Sequence, residues 1–267
     1  MNLFHKLSKH SKVHNAEQSL LTSVFIWAGL SLLGVFAIGM ICWSIMLSSG
    51  VLAVLGDARF NWNIYSELTK GQEGSLRMLG ILSVTGSVLI LLSWILRLIW
   101  VFRFNTVSKQ FIMFTYATFI IGQGIGFGFL FATWNAPDLL AIFGITGALF
   151  GVMALVGIFA KNLSGLLPYL IGGAIMVFFL AMLNMILYFS GVYNNFLTFI
   201  VLTFSGLLAL GYIAFDVWWI KRTSEVYKEH FLDKDSRFRL VAFFAFQLLT
   251  DIIWLLWVVI RLYGRSR

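Results

Sequence analysis

Two aspartates stand in apolar surroundings in the second half of the chain. Asp216 lies in GYIAFDVWWIKR, before the basic pair Lys221 and Arg222, and Asp251 lies in QLLTDIIWLLWVV. A charge at the centre of a membrane helix costs on the order of 2.5–3.5 kcal/mol by insertion scales, so such residues need partners. If their helices pack together, two carboxylates in one poorly hydrated pocket do not both ionise cheaply. The pair is then expected to share a proton and titrate as a unit.

The protonation state of such a pair would depend on pH, and so would the binding of a ligand in its pocket or the closure of that pocket. Protonated carboxyls can hydrogen-bond to each other, whereas ionised ones repel each other and attract cations. Arg103 and Arg97, in the cytoplasmic half of the second apolar run, are candidate counter-charges. A simpler interpretation stays open for Asp216, because about 7.5 Å of helix separates it from Lys221, and an interfacial ion pair with that residue or Arg222 would satisfy it.

The composition indicates an integral membrane protein. Of the 267 residues, 60% are hydrophobic and 11% are charged, and the mean hydropathy is +0.91. A soluble domain of this composition could not cover its surface with polar groups. Several apolar runs are long enough to cross a hydrocarbon layer about 30 Å thick, and they lack the alternation of a barrel wall. The predicted fold class is therefore all-α.

The apolar runs predict a polar N-terminal tail at 1–20 and a seven-helix membrane domain at 21–267. The predicted spans are 21–49, 77–102, 111–134, 139–160, 166–190, 196–220 and 240–262.

The distribution of basic residues predicts a cytoplasmic N-terminus in a cell membrane. Lysines and arginines recur at alternate span ends, namely Lys6, Lys9, Lys12, Arg103, Lys109, Lys161 and a cluster at 221–239. Among the loops on the other side, 135–138 and 191–195 contain neither residue type, and the 50–76 loop is mixed in sign. Arg261, Arg265 and Arg267 are the exception, so a re-entrant or incomplete last span remains an alternative.

Glycines recur at four-residue spacing in two of the predicted spans. Within GQGIGFG they pair as Gly122 with Gly126 and Gly124 with Gly128, and span four adds Gly147 with Gly151. The first segment does not have the G-x-G-x-x-G spacing of a nucleotide-binding turn. Small residues four apart instead predict close helix packing in a membrane.

Other chemistries fit the sequence less well. His5, His10 and His14 lie on a polar tail without the ligand spacing of a metal site. The G-x-G-D loop of an intramembrane aspartyl protease is absent, so no enzymatic activity is expected. The net charge of +8 comes largely from residues at span ends, which orient helices, so no nucleic-acid partner is expected.

Three segments in the same order resemble the Bax inhibitor-1 family, also called the transmembrane Bax inhibitor motif family, which includes bacterial members. They are GYIAFD at 211–216, an aspartate at 251 inside an apolar final helix, and ITGALFGVMALVGIFAKNLS at 145–164. The resemblance covers spans two to seven.

The resemblance implies a fold of seven helices in which the last is wrapped by the other six. It also implies a pH-sensitive calcium leak governed by two aspartates, which correspond to Asp216 and Asp251. In the family an arginine at the cytoplasmic end of the second span latches to the first of these. Arg103 is the best match, and Arg97, about two turns deeper, competes for the role.

The chain departs from the family pattern near its last aspartate. Gln247 and Trp254 stand where asparagines are usual, whereas Asn184 in span five fits the pattern. Asn184 and Gln247 are therefore candidate polar groups of an ion path. Calcium prefers six to eight oxygen ligands, so transient coordination is expected rather than a tight metal site, and no cofactor is expected.

The functional expectation is a calcium or other cation leak with the carboxylate pair as its pH sensor. At low pH the protonated pair holds the helices together, and at higher pH ionisation with Arg103 engaged changes the pore. The alternative is a non-transporting modulator or substrate of a membrane-bound AAA protease, as some bacterial relatives are, with residues 1–20 as a disordered handle. The expected partners are the lipid bilayer, calcium ions and, for the alternative, that protease.

Overall fold

The computed structural model describes residues 2–48, 73–103, 106–191, 194–227 and 234–265. Seven α-helices fill these ranges: α1 Asn2–Ser48, α2 Glu73–Phe102, α3 Lys109–Thr133, α4 Ala136–Phe159, α5 Leu167–Phe189, α6 Asn195–Tyr227 and α7 Lys234–Arg265. Within the described ranges each helix contains a segment long and apolar enough to cross a membrane. The predicted all-α membrane fold is confirmed.

Apart from the beginning of α1, the helix ends differ from the predicted span ends by a few residues. The structure begins α4 at Ala136, where the carbonyl of Asn135 accepts from the N–H groups of Asp138 and Leu139, each at 3.1 Å. Pro137 fits this first turn because its missing N–H would have no partner inside the helix. Further along the chain, α6 continues beyond Lys221 to Tyr227, since a helix does not have to end where the bilayer does.

The N-terminal tail is helical rather than disordered. One continuous helix runs from Asn2 to Ser48, which corrects the expectation of a disordered handle at 1–20. The sequence contains no glycine or proline before Gly29. Without a residue that breaks the hydrogen-bond ladder, the helix of the first span continues into the polar tail.

The chain packs as two units, one formed by Gly29–Leu139 and the other by Met1–Ala28 with Leu140–Arg267. In the first unit, the glycines of α3 allow close helix contact as predicted. A Cβ added at Gly124 would lie 2.5 Å from Ile38 Cβ, and one at Gly128 would lie 2.6 Å from Cys42 Cβ. Any larger residue at either position would have to push α1 away.

In the second unit, α6 packs against both α5 and α7. On the α5 side, Leu208 meets Gly173 and Leu170 meets Gly211, with 2.7 Å from leucine Cδ2 to an added Cβ in each case. On the α7 side, an added Cβ at Gly206 would lie 3.2 Å from Val258.

The last helix is the most enclosed of the described spans. Of an 18-residue apolar stretch in each helix, 72% is buried in α7 and 11% in α5. High burial is what the prediction of an enclosed last helix requires.

The last helix is also unbroken. Its 32 residues extend about 48 Å, enough for a complete crossing. The rings of Trp27 and Phe238 lie 5.7 Å apart, so the N-terminal part of α7 contacts α1. The length of α7 favours a full last span over the re-entrant alternative.

The glycine face predicted in span four does not pack against any described residue. No described residue lies within 4 Å of a Cβ added at Gly147 or Gly151. The close contact of α4 is made further along, at Gly157, where an added Cβ would lie 2.5 Å from the carbonyl oxygen of Ala214. The predicted close packing at Gly147 and Gly151 is therefore wrong for the described residues, because spacing alone does not tell whether a neighbouring helix faces a small-residue stripe.

Candidate functional site

Both aspartates singled out in the sequence are buried on neighbouring helices. Asp216 on α6 is 1% exposed and Asp251 on α7 is 7% exposed. The amide Nε2 of Gln247 on α7 donates a hydrogen bond of 2.8 Å to Oδ1 of Asp216. Buried polar groups are normally satisfied in this way, because an unmade hydrogen bond is costly in apolar surroundings. The Asp216 carboxylate therefore reaches directly across to α7.

The contacts between α6 and α7 define an antiparallel register. In order along α6, these contacts are Tyr212 with Trp254 at 6.1 Å between ring centroids, Asp216 with Gln247 at 2.8 Å, and Trp219 with Phe244 at 5.5 Å between ring centroids. Asp251 lies between Gln247 and Trp254, so it is level with the stretch between Tyr212 and Asp216. On this register the two aspartates are separated along the helix axes by about one turn, roughly 5 Å.

Gln247 also shares a helix face with Asp251. Residues four apart on a helix are surface neighbours, so the amide that contacts Asp216 stands next to the second aspartate. The sequence singled out Gln247 as a candidate polar group of an ion path. The structure brings it to Asp216.

Tyr212 is a member of this cluster that sequence reasoning missed. It precedes Asp216 by one helical turn, its hydroxyl donates to the carbonyl of Leu170 on α5 at 3.2 Å, and its ring packs near Trp254. Asp216 lies one turn further along the same helix, and Trp254, the neighbour of the Tyr212 ring, lies three residues beyond Asp251. Its four-residue spacing from the aspartate in GYIAFD was the available signal, since that spacing places both residues on one face.

The two basic residues that follow Asp216 are engaged elsewhere. Lys221 Nζ donates to the carbonyl of Ile158 at 2.8 Å, and Arg222 pairs with Glu225 at 3.0 Å. Lys221 thus places its positive charge at the C-terminal end of α4, where the helix dipole favours it. The interpretation of Asp216 as half of an interfacial ion pair with these residues loses its basis.

The last turn of α4 packs tightly against the turn of α6 that carries Asp216. A Cβ at Gly157 would lie 2.5 Å from the carbonyl oxygen of Ala214 and 2.8 Å from Val217 Cβ. Together with the Lys221 hydrogen bond, this contact fixes α4 on one side of the aspartate.

A family model described as "Inhibitor of apoptosis-promoting Bax1" matches residues 17–267. The chain belongs to the Bax inhibitor-1 family. The matched range includes every predicted span and both aspartates. No curated protein matches the chain at a significant level.

The arginines proposed as a latch in this Bax inhibitor-1 family member belong to the Gly29–Leu139 unit. Arg103 is exposed at the C-terminal end of α2, and its backbone N–H donates to the carbonyl of Ile99 at 3.0 Å. The guanidinium of Arg97 lies 5.3 Å from the ring centroid of Trp94, within range of a cation–π interaction. The contact of either arginine with an aspartate stays a prediction.

Asn184 lies away from the aspartates. Its Oδ1 accepts from the hydroxyl of Thr198 at 3.1 Å, and Thr198 precedes Asp216 by about 27 Å along α6. The two polar groups assigned to an ion path therefore belong to different levels of the span. Gln247 is at the aspartates, and Asn184 ties α5 to the beginning of α6.

One further buried carboxylate was not anticipated. Asp138 is 4% exposed in the first turn of α4, although the sequence indicated only a turn there. A carboxylate in a first helical turn is stabilised by the N–H groups and the positive end of the helix dipole. The Asn-Ala-Pro-Asp spacing at 135–138, with a cap residue three positions before an acid, was the signal for it.

Within the described ranges no cluster of three or more histidine, cysteine or acidic side chains is placed to hold a metal ion. The aspartate site itself offers oxygen atoms from two carboxylates and the side chain of Gln247. Calcium takes six to eight oxygens in its stable sites. The chemistry available here is proton exchange and weak attraction of cations.

Proposed function

We propose that this multi-pass membrane protein of the Bax inhibitor-1 family passes calcium or another cation slowly through the membrane. The Asp216–Asp251 pair is its proton-sensitive gate. The observation that carries this proposal is the burial of both carboxylates on adjacent antiparallel helices, about one helical turn apart.

The electrostatics of such a pair support a gate. Two negative charges this close repel strongly where water is scarce, because the effective dielectric constant is low. A proton shared between them removes that repulsion and allows the carboxyls to hydrogen-bond. Loss of the proton adds negative charge between α6 and α7, which weakens their contact and attracts a cation.

The small number of oxygens supports a leak rather than storage. Conduction requires binding that is strong enough for entry and weak enough for release. Two carboxylates and one amide oxygen offer at most five oxygens, fewer than the six to eight that calcium takes, so a calcium ion at this site would retain part of its water. It would therefore leave quickly.

The direct test is calcium flux into liposomes that contain the purified chain, measured from pH 5 to pH 8. Asparagine resembles a protonated aspartate in shape and charge. Asp216→Asn and Asp251→Asn are therefore expected to give a flux that no longer responds to pH and remains at the low-pH level of the parent.

Glu225→Gln is the matched control for these variants. It removes one carboxylate from the same helix, and Glu225 lies in an accessible pair with Arg222, so the flux should keep its parental pH response. If Asp216→Asn and Asp251→Asn also keep that response, the pair is not the gate. If the parent itself passes no cation at any pH, the leak proposal fails.

A further inference from the structure

Tyr212 connects the aspartate site with α5. Its hydroxyl donates to the carbonyl of Leu170 at 3.2 Å, in the first turn of α5. A helical carbonyl already accepts from an N–H four residues on, so the phenol uses the second lone pair of this oxygen. Gly211, the preceding residue, allows the approach, because a Cβ there would lie 2.7 Å from Leu170 Cδ2.

The same side chain also belongs to a packed cluster. Leu170, Val177, Leu208 and Phe215 are buried together, and Tyr212 packs against them from the partly buried rim. The connection before α5 joins the cluster through Leu163 and Leu166, and α7 joins it through Trp254. A change in the position of the phenol would therefore alter the packing among α5, α6 and α7.

The charges that face the phenol come from two helices. Asp216 lies one turn further along α6, and Asp251 on α7 is level with the stretch between them. On α5 the neighbouring Tyr169 points outward, at 78% exposure. Lys221, further along α6, is held by the carbonyl of Ile158. By this register, the two aspartates are the acidic groups of α6 and α7 nearest to the hydroxyl.

We propose that Tyr212 is a positioning residue that links the charge on the Asp216–Asp251 pair to the first turn of α5. This inference rests on the proposed gate and adds an output to it. An ionised carboxylate accepts a stronger hydrogen bond than a neutral carbonyl. Ionisation of the pair therefore redirects the hydrogen bond of the phenol from the carbonyl of Leu170 to a carboxylate. The first turn of α5 then loosens as pH rises. Protonation restores the bond.

Hydrogen–deuterium exchange of the full chain in lipid nanodiscs tests the linkage without measuring flux. Exchange times are corrected for the pH dependence of chemical exchange, and amides 166–173 are compared with amides 115–125 of α3. In the parent, raising the pH from 5 to 8 is expected to lower protection of 166–173 about fivefold relative to α3, the effect of losing one hydrogen bond.

Tyr212→Phe keeps the ring and removes the hydroxyl. Its amides 166–173 should be weakly protected at both pH values, with no pH difference. Tyr169→Phe, the matched control one residue before Leu170, should behave as the parent. Asp216→Asn retains Tyr212, so its amides 166–173 should remain protected at both pH values. This variant decides the question even if Tyr212→Phe does not fold.

The linkage is overturned if the parent shows no pH difference at 166–173, or if Tyr212→Phe or Asp216→Asn retains it. Flux in liposomes separates this result from the gate proposal. A pH-dependent first turn in a chain that passes no calcium would support the linkage and reject the leak. A pH-dependent leak with a constant first turn would do the reverse.

Discussion

At the residue scale, the hydrogen bond between Gln247 and Asp216 shows how the membrane interior holds a carboxylate. The amide supplies a donor at 2.8 Å without adding a charge. A lysine or arginine here would neutralise the aspartate permanently and remove its response to protons. A neutral donor is compatible with both protonation states, because the glutamine amide carries both a donor and an acceptor.

Replacing Gln247 with methionine, which has a similar volume and no donor, tests this interaction. The ionised form of Asp216 loses a hydrogen bond worth about 1.5–3 kcal/mol, so the loss of stability should be larger at pH 8 than at pH 5. Thermal unfolding in nanodiscs at both pH values measures it. Gln247→Asn, which keeps an amide, should lose less, and an equal loss at both pH values in the methionine variant would contradict the prediction.

At the element scale, α4 and α6 meet where one glycine removes a side chain. Gly157→Ala should destabilise the fold by about 1–3 kcal/mol, because the added methyl group overlaps the backbone of α6 beside Asp216. Thermal unfolding is the measurement. Gly147→Ala is the matched control on the same helix, with open space at its Cβ among the described residues. It should be neutral or slightly stabilising, since alanine favours helix over glycine.

The N-terminal extension of α1 gives a second test at this scale. Deleting residues 2–16 removes only chain outside the first span, which begins at Leu20, so the calcium flux and its pH response should not change. The same deletion should abolish capture by a membrane-bound AAA protease if the tail is the handle for one. Altered flux would instead assign the tail to the gate.

At the scale of the whole molecule, the sequence predicts seven complete crossings from a cytoplasmic N-terminus, with the connections between helices alternately on the two sides of the membrane. In a Cys42→Ala background, Lys161→Cys should remain unlabelled by a membrane-impermeant maleimide on intact cells, and Asn194→Cys should be labelled. This pattern follows from a cytoplasmic N-terminus with four crossings before the first position and five before the second. The reverse pattern would invert the topology.

The sequence by itself determined the fold class, the seven spans and the two acidic residues at the centre of the site. These features follow from local chemistry. Apolar length sets a span, and the cost of a buried charge makes Asp216 and Asp251 conspicuous wherever their helices lie. The glycines of α3 belong to the same group, since small residues four apart favour close packing with whichever helix is adjacent.

The tertiary structure alone decided which groups meet. Gln247 faces Asp216, Tyr212 reaches Leu170, and Lys221 binds the end of α4 because the register of α4, α5, α6 and α7 brings them together. Register depends on how side chains of different helices interlock, and the sequence of one helix does not determine how its neighbour is rotated. For that reason Asn184, an equally polar candidate in the sequence, lies far from the aspartates, and the glycines at 147 and 151 pack against nothing described in the chain.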